Sequence, residues 1–262
     1  MTDAAITASR PRTTRHGNWR QRLGYALYRG ASRINWAEPE LRGLGKVVRP
    51  GDTVLDVGAA LGMYTVPLSY LTGPTGRIFS VDPQPRNFFV VRLLRALTGA
   101  RRGTIRRIAF GPQPGESRIA VPIIFGLPIF GHGHIADGVQ EKGPHRIRYT
   151  PTPVDTIDSW VEREGIENVA FIKVDVEGFE PSVVEGARDL IERDRPSLLL
   201  EIEDRRLVRY GRTTADEFHR QLMERWPDYR MYTYVDDVWT PTDAITSEVR
   251  NYLFTTKDLT AA

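Results

Sequence analysis

The sequence contains no cysteine. This absence excludes a disulfide scaffold, a thiolate metal site and a cysteine nucleophile, and it fits a reducing compartment. The chain also lacks an uninterrupted apolar run near 18 residues, so we expect no transmembrane helix. Residues 1–22 lack the apolar core of a signal peptide. These absences together predict a cytoplasmic protein.

Acidic residues are scarce at the start of the chain. Residues 1–50 hold ten Lys and Arg against three acids, a net charge of +7, whereas the whole chain of 262 residues carries +3. A basic segment suits nucleic acid, an anionic membrane surface, an acidic substrate or a solvated tail. The aromatic–basic interleaving of a nucleic-acid platform is missing. We therefore expect a solvated tail and no nucleic-acid partner.

The N-terminal region divides into two parts. Residues 1–18 are polar and Arg-rich, which predicts a disordered basic arm. Residues 19–50 form a predicted helical extension that begins with an amphipathic basic helix. Its apolar residues at helical spacing are Trp19, Leu23, Leu27 and Ile34. Packing on the domain is the first expectation for this helix, and covering the active site or lying on a membrane as a peripheral contact are the alternatives.

Apolar strands alternate with helices from residue 53 onward. Strands are predicted at 53–57, 77–82, 103–110, 169–176 and 196–203, with a final pair at 229–235 and 249–256. Helices are predicted at 61–71, 85–97, 152–165, 181–194 and 214–226. The alternation predicts an α/β fold, one doubly wound domain over 51–262 with a mostly parallel sheet. A Gly- and Pro-rich irregular segment at about 111–150, with two or three short strand-like pieces, interrupts it. Ligands of such folds lie beyond the carboxyl ends of the strands.

Two strand ends favour a nucleoside-bearing cofactor. The stretch "DVGAALG" follows the first strand, and Gly58 and Gly62 in it allow a tight turn and close approach to a ligand. Asp82 ends the second strand about twenty residues later, where an acid can accept hydrogen bonds from both ribose hydroxyls. The stretch is neither the dinucleotide pattern GxGxxG nor a phosphate-binding P-loop.

Five blocks in this order resemble the FkbM-type S-adenosylmethionine-dependent methyltransferases. The blocks are "VLDVGAALGMYT", "FSVDPQPRNF", "VDTIDSW", "FIKVDVEGFEPSVVEGA" and "RPSLLLEIE". The resemblance covers about residues 53–203. It implies the class I methyltransferase fold, Rossmann-like with a seven-stranded sheet and an antiparallel C-terminal strand. It also implies an O-methyltransferase that acts on hydroxyl groups, often of sugars or natural products, in a glycan, glycolipid or small-molecule acceptor.

The resemblance assigns the cofactor S-adenosyl-L-methionine to matching positions. The methionine part would be lined by Asp56, Gly58, Ala59 and Gly62, with Tyr64 and Thr65 nearby. The ribose would be held by Asp82, with Pro83 and Asn87 beside it. The adenine would lie near Ala109 and Phe110. The family more often has Glu at position 82, and the shorter Asp would draw the ribose closer or use a bridging water.

Three acids follow the fourth predicted strand in "FIKVDVEGFE". Asp175 ends this strand, next to where the methyl sulfonium would lie, and is predicted to act as general base or to orient the acceptor hydroxyl. Glu177 is open between a catalytic role and a helix start. Glu180 precedes Pro181 and is predicted to be structural, because acids are favoured at helix N-termini.

Two further sets of side chains are candidates for the chemistry. Glu201, Glu203 and Asp204 follow the fifth strand, and Asp175, Glu203 and Asp204 are a candidate Mg²⁺ site that would lower the pKa of the acceptor oxygen. His132 and His134, in the irregular segment, are alternative bases because the histidine pKa suits proton transfer near neutrality. Ordinary loop histidines are the competing interpretation.

Three other classes of protein are weaker interpretations. A nicotinamide-dependent oxidoreductase would be expected to show GxGxxG or a Tyr-x-x-x-Lys set. An RNA methyltransferase would be expected to show Asn-Pro-Pro-Tyr where this chain has Asp-Val-Glu-Gly. A non-catalytic protein of the same fold would not be expected to keep the cofactor and acidic positions.

Overall fold

The computed structural model describes residues 15–100, 102–124, 127–128, 133–136, 146–211 and 213–260. The α-helices within them are α1 (Trp19–Arg33), α2 (Thr65–Leu71), α3 (Pro85–Thr98), α4 (Ile157–Arg163), α5 (Glu180–Glu185), α6 (Arg188–Asp194), α7 (Asp204–Arg206) and α8 (Ala215–Arg225). Shorter turns are the 3₁₀ segments Pro39–Arg42 and Leu44–Lys46 and the π-helical turn Leu207–Gly211.

Two sheets hold the strands. The larger sheet contains β1 (Thr53–Val57), β2 (Arg77–Val81), β3 (Ile105–Arg106), β9 (Val169–Val174), β10 (Ser197–Glu201), β11 (Arg230–Val235), β12 (Val238–Pro241) and β13 (Asn251–Thr255). The smaller sheet contains β4 (Ala109–Phe110), β5 (Gly115–Ile124), β6 (Leu127–Pro128), β7 (His134–Ile135) and β8 (Arg146–Asp155).

The large sheet has the order β12-β11-β13-β10-β9-β1-β2-β3. Strands β3, β2, β1, β9 and β10 are parallel, and β13 is antiparallel to both of its neighbours. The predicted mostly parallel sheet with an antiparallel C-terminal strand is therefore confirmed. The prediction missed β12, which adds an eighth strand at the edge. The strand order reverses between β1 and β9, which is where such folds bind their ligands.

The burial of the strands explains this architecture. All five residues of β1 and all five of β10 are buried, as expected for strands covered on both faces. One hydrophobic cluster packs α4, α5, α6 and α8 against one face of the sheet. Another packs α1 and α2 against the other face, and a small third cluster lies under the second sheet.

The structure corrects three predicted elements. The predicted strand 103–110 is divided between the two sheets as β3 and β4. The predicted helix 181–194 is broken into α5 and α6 at Gly186, where a Cβ would overlap the carbonyl oxygen of Gly111. The short strand-like pieces predicted at 111–150 include the ten-residue strands β5 and β8, paired from Gly115 opposite Val154 to Ile123 opposite Arg146. Strand β8 extends to Asp155, into the predicted helix 152–165.

The N-terminal helix forms as predicted, but with a different face inward. The Asn18 side chain accepts hydrogen bonds from the Arg20 and Gln21 amides, and Gln21 Oε1 accepts one from the Asn18 amide, which completes a capping box. The buried residues are Gln21, Tyr25 and Ser32. Residues 1–14 of the predicted arm lie outside the described residues. None of the helices in the described ranges has the length and hydropathy needed to cross a membrane.

Candidate active site

A cavity of about 340 Å³ opens at the carboxyl ends of β1, β2, β9 and β10, at the reversal of strand order. Its volume is at the lower end of the range for small-molecule sites. Predicted cofactor residues in its wall are Gly58, Asp82, Pro83, Asn87, Ala109 and Phe110. Predicted catalytic residues in its wall are Asp175 and Glu177. The strands therefore bring together residues that are more than a hundred positions apart.

Gly58 brings β1 and β9 into close contact beneath the cavity. It has φ +82°, and a Cβ at this position would overlap the carbonyl oxygen of Asp175. The amides of Gly58 and Ala59 both donate to the carbonyl oxygen of Val81, each at 3.0 Å. Only glycine combines this left-handed backbone with such a close approach. The turn thus fixes the end of β1 against the ends of both neighbouring strands.

Asp82 is the centre of a polar cluster at the end of β2. Its carboxylate accepts hydrogen bonds from the amides of Ala60 and Gln84, each at 2.9 Å, and from Asn87 Nδ2 at 3.1 Å. Burial raises the pKa of Asp82 to about 7, against the lowering effect of these bonds. A carboxylate has about four acceptor positions, so one is left for a ligand.

Asn87 supplies a second acceptor in the same wall. Its Oδ1 is buried and has no hydrogen-bond partner within the described part of the chain, whereas its Nδ2 donates a hydrogen bond to Asp82. A buried polar atom without a partner is costly unless a ligand or water satisfies it. Asp82 and Asn87 therefore fit a ligand that donates two hydrogen bonds, as the vicinal hydroxyls of a ribose do.

Several residues predicted to contact the cofactor lie behind the cavity wall. Asp56 is buried and accepts a 2.5 Å hydrogen bond from Thr65 Oγ1, which in turn bonds Ser80. Burial raises the pKa of Asp56 to about 6, and the Thr65 bond opposes this shift. The cavity is also not lined by Ala59, Gly62 or Tyr64. Direct contact between these five predicted residues and a cofactor stays a prediction.

Asp175 and Glu201 form a pair of adjacent carboxyl groups. Val174 lies opposite Leu200 in the parallel register of β9 and β10, so the next residue of each strand emerges side by side. The two carboxyl groups share a hydrogen bond. Burial, and then the charge and hydrogen bond of Asp175, raise the pKa of Glu201 to about 9. At neutral pH Glu201 is therefore protonated and can donate a hydrogen bond to Asp175.

Arg206 is the cation shared by three acidic side chains beside the cavity. Its guanidinium forms ion pairs with Glu177, with Glu201 at 3.2 Å and with Glu203 at 3.2 Å. The Arg206 side chain is only 16% exposed, so water screens these pairs less than on an open surface. Arg206, Glu177 and Glu201 all line the cavity. The ion pairs of Arg206 therefore hold the two carboxylates in the cavity wall.

The loop after β9 explains the different roles of the other two acids. Glu177 has φ +60°, a left-handed conformation that is uncommon for a residue other than glycine. Glu180 Oε1 accepts hydrogen bonds from the amides of Val176 at 3.0 Å and Gly178 at 3.2 Å. Glu180 is 1% exposed and lies outside the cavity wall. It holds the loop that presents Asp175 and Glu177, which agrees with its predicted structural role.

A chain of polar contacts connects Lys173 to the carboxyl pair. Lys173 lies 5.1 Å from the centre of the Tyr64 ring and donates to Asn251 Oδ1 at 2.7 Å. Asn251 Nδ2 donates to Glu38 at 3.2 Å, and Glu38 also pairs with Arg250 at 3.3 Å. Arg250 Nη1 lies 3.5 Å from Glu201. The N-terminal extension thus contributes Glu38 to the same cavity.

The predicted Mg²⁺ site is not supported. Asp204 Oδ1 accepts a 2.8 Å hydrogen bond from the Ala215 amide at the start of α8, and Glu203 pairs with Arg205 and Arg206. In the described ranges, no three His, Asp or Glu residues are grouped so as to hold a metal ion. The side chains of Glu203 and Asp204 are directed to partners other than Asp175, so the residues present do not fit the predicted ion.

The two predicted histidine bases are not placed by the structure. His132 lies outside the described residues, and His134 is described only as backbone in β7, paired with Ala120. Gly133, between them, lines the cavity. Their catalytic role stays a prediction.

The sequence interpretation misses three charged residues that line the cavity, Glu38, Arg206 and Arg250, and it gives Glu201 no separate role. Glu201 could have been found, because it is the last residue of a buried strand whose neighbour ends just before Asp175. The other three lie outside the strands, and their approach depends on how the flanking segments fold.

The strand order, with its antiparallel β13, and the cavity at the reversal point define the class I fold of S-adenosylmethionine-dependent methyltransferases. The family described as methyltransferase FkbM domain matches residues 56–231, about two thirds of the chain. The chain belongs to the FkbM methyltransferase family. A comparison with curated protein sequences gave no significant match.

Solved structures that are similar to this chain include the following three proteins. The FkbM methyltransferase of Methylobacillus flagellatus KT is 18% identical with a TM-score of 0.49, over 90% of this chain and 57% of that protein's length. The O-methyltransferase of Bacillus cereus in complex with SAH is 13% identical with a TM-score of 0.48, over 95% and 92%. Fibrillarin of Aeropyrum pernix with bound S-adenosyl-L-methionine is 17% identical with a TM-score of 0.43, over 95% and 85%.

Proposed function

We propose that this protein is an S-adenosylmethionine-dependent O-methyltransferase that acts on a hydroxyl group of a sugar in a glycolipid, polysaccharide or glycosylated natural product. The observation that carries the proposal is the Asp175–Glu201 carboxyl pair in the wall of the same cavity as Asp82 and Asn87. One side of the cavity thus suits a nucleoside, and the other holds a group that can accept a proton.

The cofactor side of the cavity supports the choice of S-adenosylmethionine. Asp82 and Asn87 provide the acceptors for the ribose hydroxyls. Ile108, Ala109 and Phe110 give this side an apolar wall that suits the adenine ring. When bound, S-adenosylmethionine supplies a methyl group on a cationic sulfur.

The acceptor side supports transfer to oxygen. Asp175 lies in the cavity wall beside Glu201, where it can accept a hydrogen bond from a hydroxyl group. Asp175 would accept the proton of the acceptor hydroxyl as that oxygen takes up the methyl group, and the bound cofactor would keep the electron pair of its carbon–sulfur bond on sulfur. Protonated Glu201 donates to Asp175 and keeps it oriented toward the acceptor.

The charged rim supports a sugar as the acceptor. Glu38, Glu177, Arg206 and Arg250 line the cavity beside the carboxyl pair. Carboxylates accept and guanidinium groups donate several hydrogen bonds in fixed directions. Such a set matches an acceptor with several neighbouring hydroxyl groups better than one with a single hydroxyl on an apolar frame.

Calorimetry with the full chain tests the cofactor assignment. We expect S-adenosylhomocysteine to bind at one site and NAD to give no heat. Asp82→Asn should weaken S-adenosylhomocysteine binding by about 10- to 100-fold, the range for losing a hydrogen bond to a charged group. Asp216→Asn, at an exposed position on α8, is the matched control and should bind like the wild type. NAD binding without S-adenosylhomocysteine binding would favour the oxidoreductase interpretation.

A further inference from the structure

Helix α1 presents an uncovered apolar row to solvent. Trp19 is 70% exposed, Leu23 53% and Leu27 65%, and Ile34, directly after the helix, is 62% exposed. At about 100° per residue these four side chains fall within one narrow stripe of the helix surface. They are the residues that the sequence predicts as the packing face, and the structure places them outside.

The opposite face of α1 is fixed to the domain. Tyr25 stacks on Tyr70 of α2, with ring centres 5.1 Å apart. Asn18 Nδ2 donates to the carbonyl oxygen of Thr98 at the end of α3. Gly24 lies so close to Val66 that a Cβ would overlap it. The apolar row is therefore presented by a helix that is already folded and anchored.

Helix α3 carries a second exposed row. Phe89 is 64% exposed, Leu93 47% and Leu97 58%, at intervals of four residues. The hydrogen bond between Asn18 and Thr98 joins the start of α1 to the end of α3, so Trp19 and Leu97 are each one residue from this junction. We refer to the exposed apolar side chains of the two rows as the apolar ridge: Trp19, Leu23, Leu27, Ile34, Phe89, Leu93 and Leu97.

The positive charge around the apolar ridge favours an anionic bilayer as its binding partner. Helix α1 contains Arg20, Arg22, Arg29 and Arg33 and no acid. Helix α3 adds the exposed Arg86 and Arg92, and it also contains no acid. An amphipathic helix with Trp and Leu on one face and arginines around it suits the interface of an anionic bilayer. A second copy of this chain is disfavoured, because a two-fold contact would bring the same arginines against each other.

We propose that the apolar ridge docks the protein on anionic phospholipid bilayers, with Trp19, Leu23 and Leu27 inserted at the level of the headgroups. The exposed arginines of α1 would contact lipid phosphates. This proposal does not depend on the proposed function, because docking requires neither cofactor nor acceptor.

Vesicle sedimentation with the full chain tests the proposal. We expect binding to vesicles of phosphatidylglycerol and phosphatidylcholine, at least tenfold weaker binding to phosphatidylcholine alone, and weaker binding as NaCl is raised. Leu23→Glu with Leu27→Glu should lose at least tenfold in affinity for anionic vesicles. Val235→Glu with Val238→Glu places the same charges on exposed apolar residues of β11 and β12 and should bind like the wild type.

Tryptophan fluorescence gives a second readout. Trp160, Trp226 and Trp239 are buried, whereas Trp19 and Trp36 are exposed, so a shift on adding vesicles reports on the latter two. In Trp36→Phe, Trp19 should still shift to shorter wavelength and be quenched by brominated lipid. Circular dichroism checks that every variant is folded.

Two results would overturn the proposal. One is equal binding of anionic vesicles by the wild type and the folded Leu23→Glu, Leu27→Glu variant. The other is a lipid-free dimer in sedimentation velocity that this variant dissociates, with no binding to anionic vesicles, which would show that the ridge is an interface between copies.

Discussion

Asp175 and Glu201 extend from the ends of neighbouring parallel strands and share one hydrogen bond between their carboxyl groups. The register of β9 and β10 places the two residues side by side, because Val174 lies opposite Leu200. Two acids so close together cannot both ionise readily near neutrality. The sheet thus brings together two carboxyl groups that tend to retain a proton.

Removing the charge of this pair should impair catalysis more than cofactor binding. We expect Asp175→Asn to lower kcat by about 10²- to 10⁴-fold, the usual contribution of a positioned general base, with S-adenosylhomocysteine affinity within a few-fold of wild type. Glu201→Gln should have a smaller effect, because an amide can still donate to Asp175. Glu224→Gln, 62% exposed on α8, is the matched control for Glu201→Gln. Unchanged kcat in Asp175→Asn would remove its assignment as base.

The stability of the protein should fall as pH rises above about 5. Burial raises the pKa of Glu201 from 4.5 to about 9, and those of Glu40, Asp82, Glu177 and Glu180 to about 7. Between the unfolded and folded pKa values the folded chain binds more protons, so stability decreases with pH. The slope for each group cannot exceed about 1.4 kcal/mol per pH unit.

Urea unfolding between pH 5 and 9 measures this dependence. Glu201→Gln should flatten it, most clearly above pH 7, where the other groups have largely titrated. Glu224→Gln should leave the wild-type slope. A stability that rises steadily from pH 5 to 9 in the wild type would contradict the burial of these carboxyl groups.

Replacing Gly58 should destabilise the protein strongly. Gly58→Ala combines a left-handed backbone with an overlap on the Asp175 carbonyl oxygen, so we expect a loss of at least about 2 kcal/mol in the free energy of unfolding. Gly115→Ala is the control, because a Cβ there meets no atom within 4 Å and its φ is not left-handed. Equal stability of the two variants would mean that β1 and β9 are not in such close contact.

Arg206 should contribute far more than its neighbour Arg205. Arg206→Met leaves Glu177, Glu201 and Glu203 without their shared cation, and we expect a loss of about 2 kcal/mol, below the 3–5 kcal/mol for a fully buried pair. Arg205 is 87% exposed and pairs only with Glu203 among the described ion pairs, so Arg205→Met should cost less than about 1 kcal/mol. Thermal and urea unfolding of both variants would show whether the difference exists.

The sequence predicted the parts of the fold that depend on local patterns. Strand β1 occurs where the apolar run "TVLDV" lies, and α3 begins at Pro85, where the helix 85–97 is predicted to begin. Asp82 and Asp175 lie at a common cavity because the ends of parallel strands meet at one edge. These features follow from periodicity and from the topology of doubly wound sheets.

Other features depend on contacts that no local pattern reveals. Strand β8 is mostly exposed and contains Pro151 and Pro153, so it lacks the alternation of a half-buried strand, and prolines argue against strands. The apolar row of α1 predicted the wrong buried face, because the domain packs against Gln21, Tyr25 and Ser32 instead. Glu38 and Arg250 approach the cavity from segments 212 residues apart in sequence.

Transfer of a tritiated methyl group tests the central claim most directly. Wild type, Asp175→Asn and Asp216→Asn would be incubated with labelled S-adenosylmethionine and with lipid, polysaccharide and small-molecule fractions of cell extracts. We predict that wild type and Asp216→Asn label a sugar-containing fraction through a methyl ether that withstands mild alkali, and that Asp175→Asn labels it at least 100-fold more slowly. Label that alkali releases, as from a methyl ester, or equal labelling by Asp175→Asn, would contradict transfer to a hydroxyl group by the carboxyl pair.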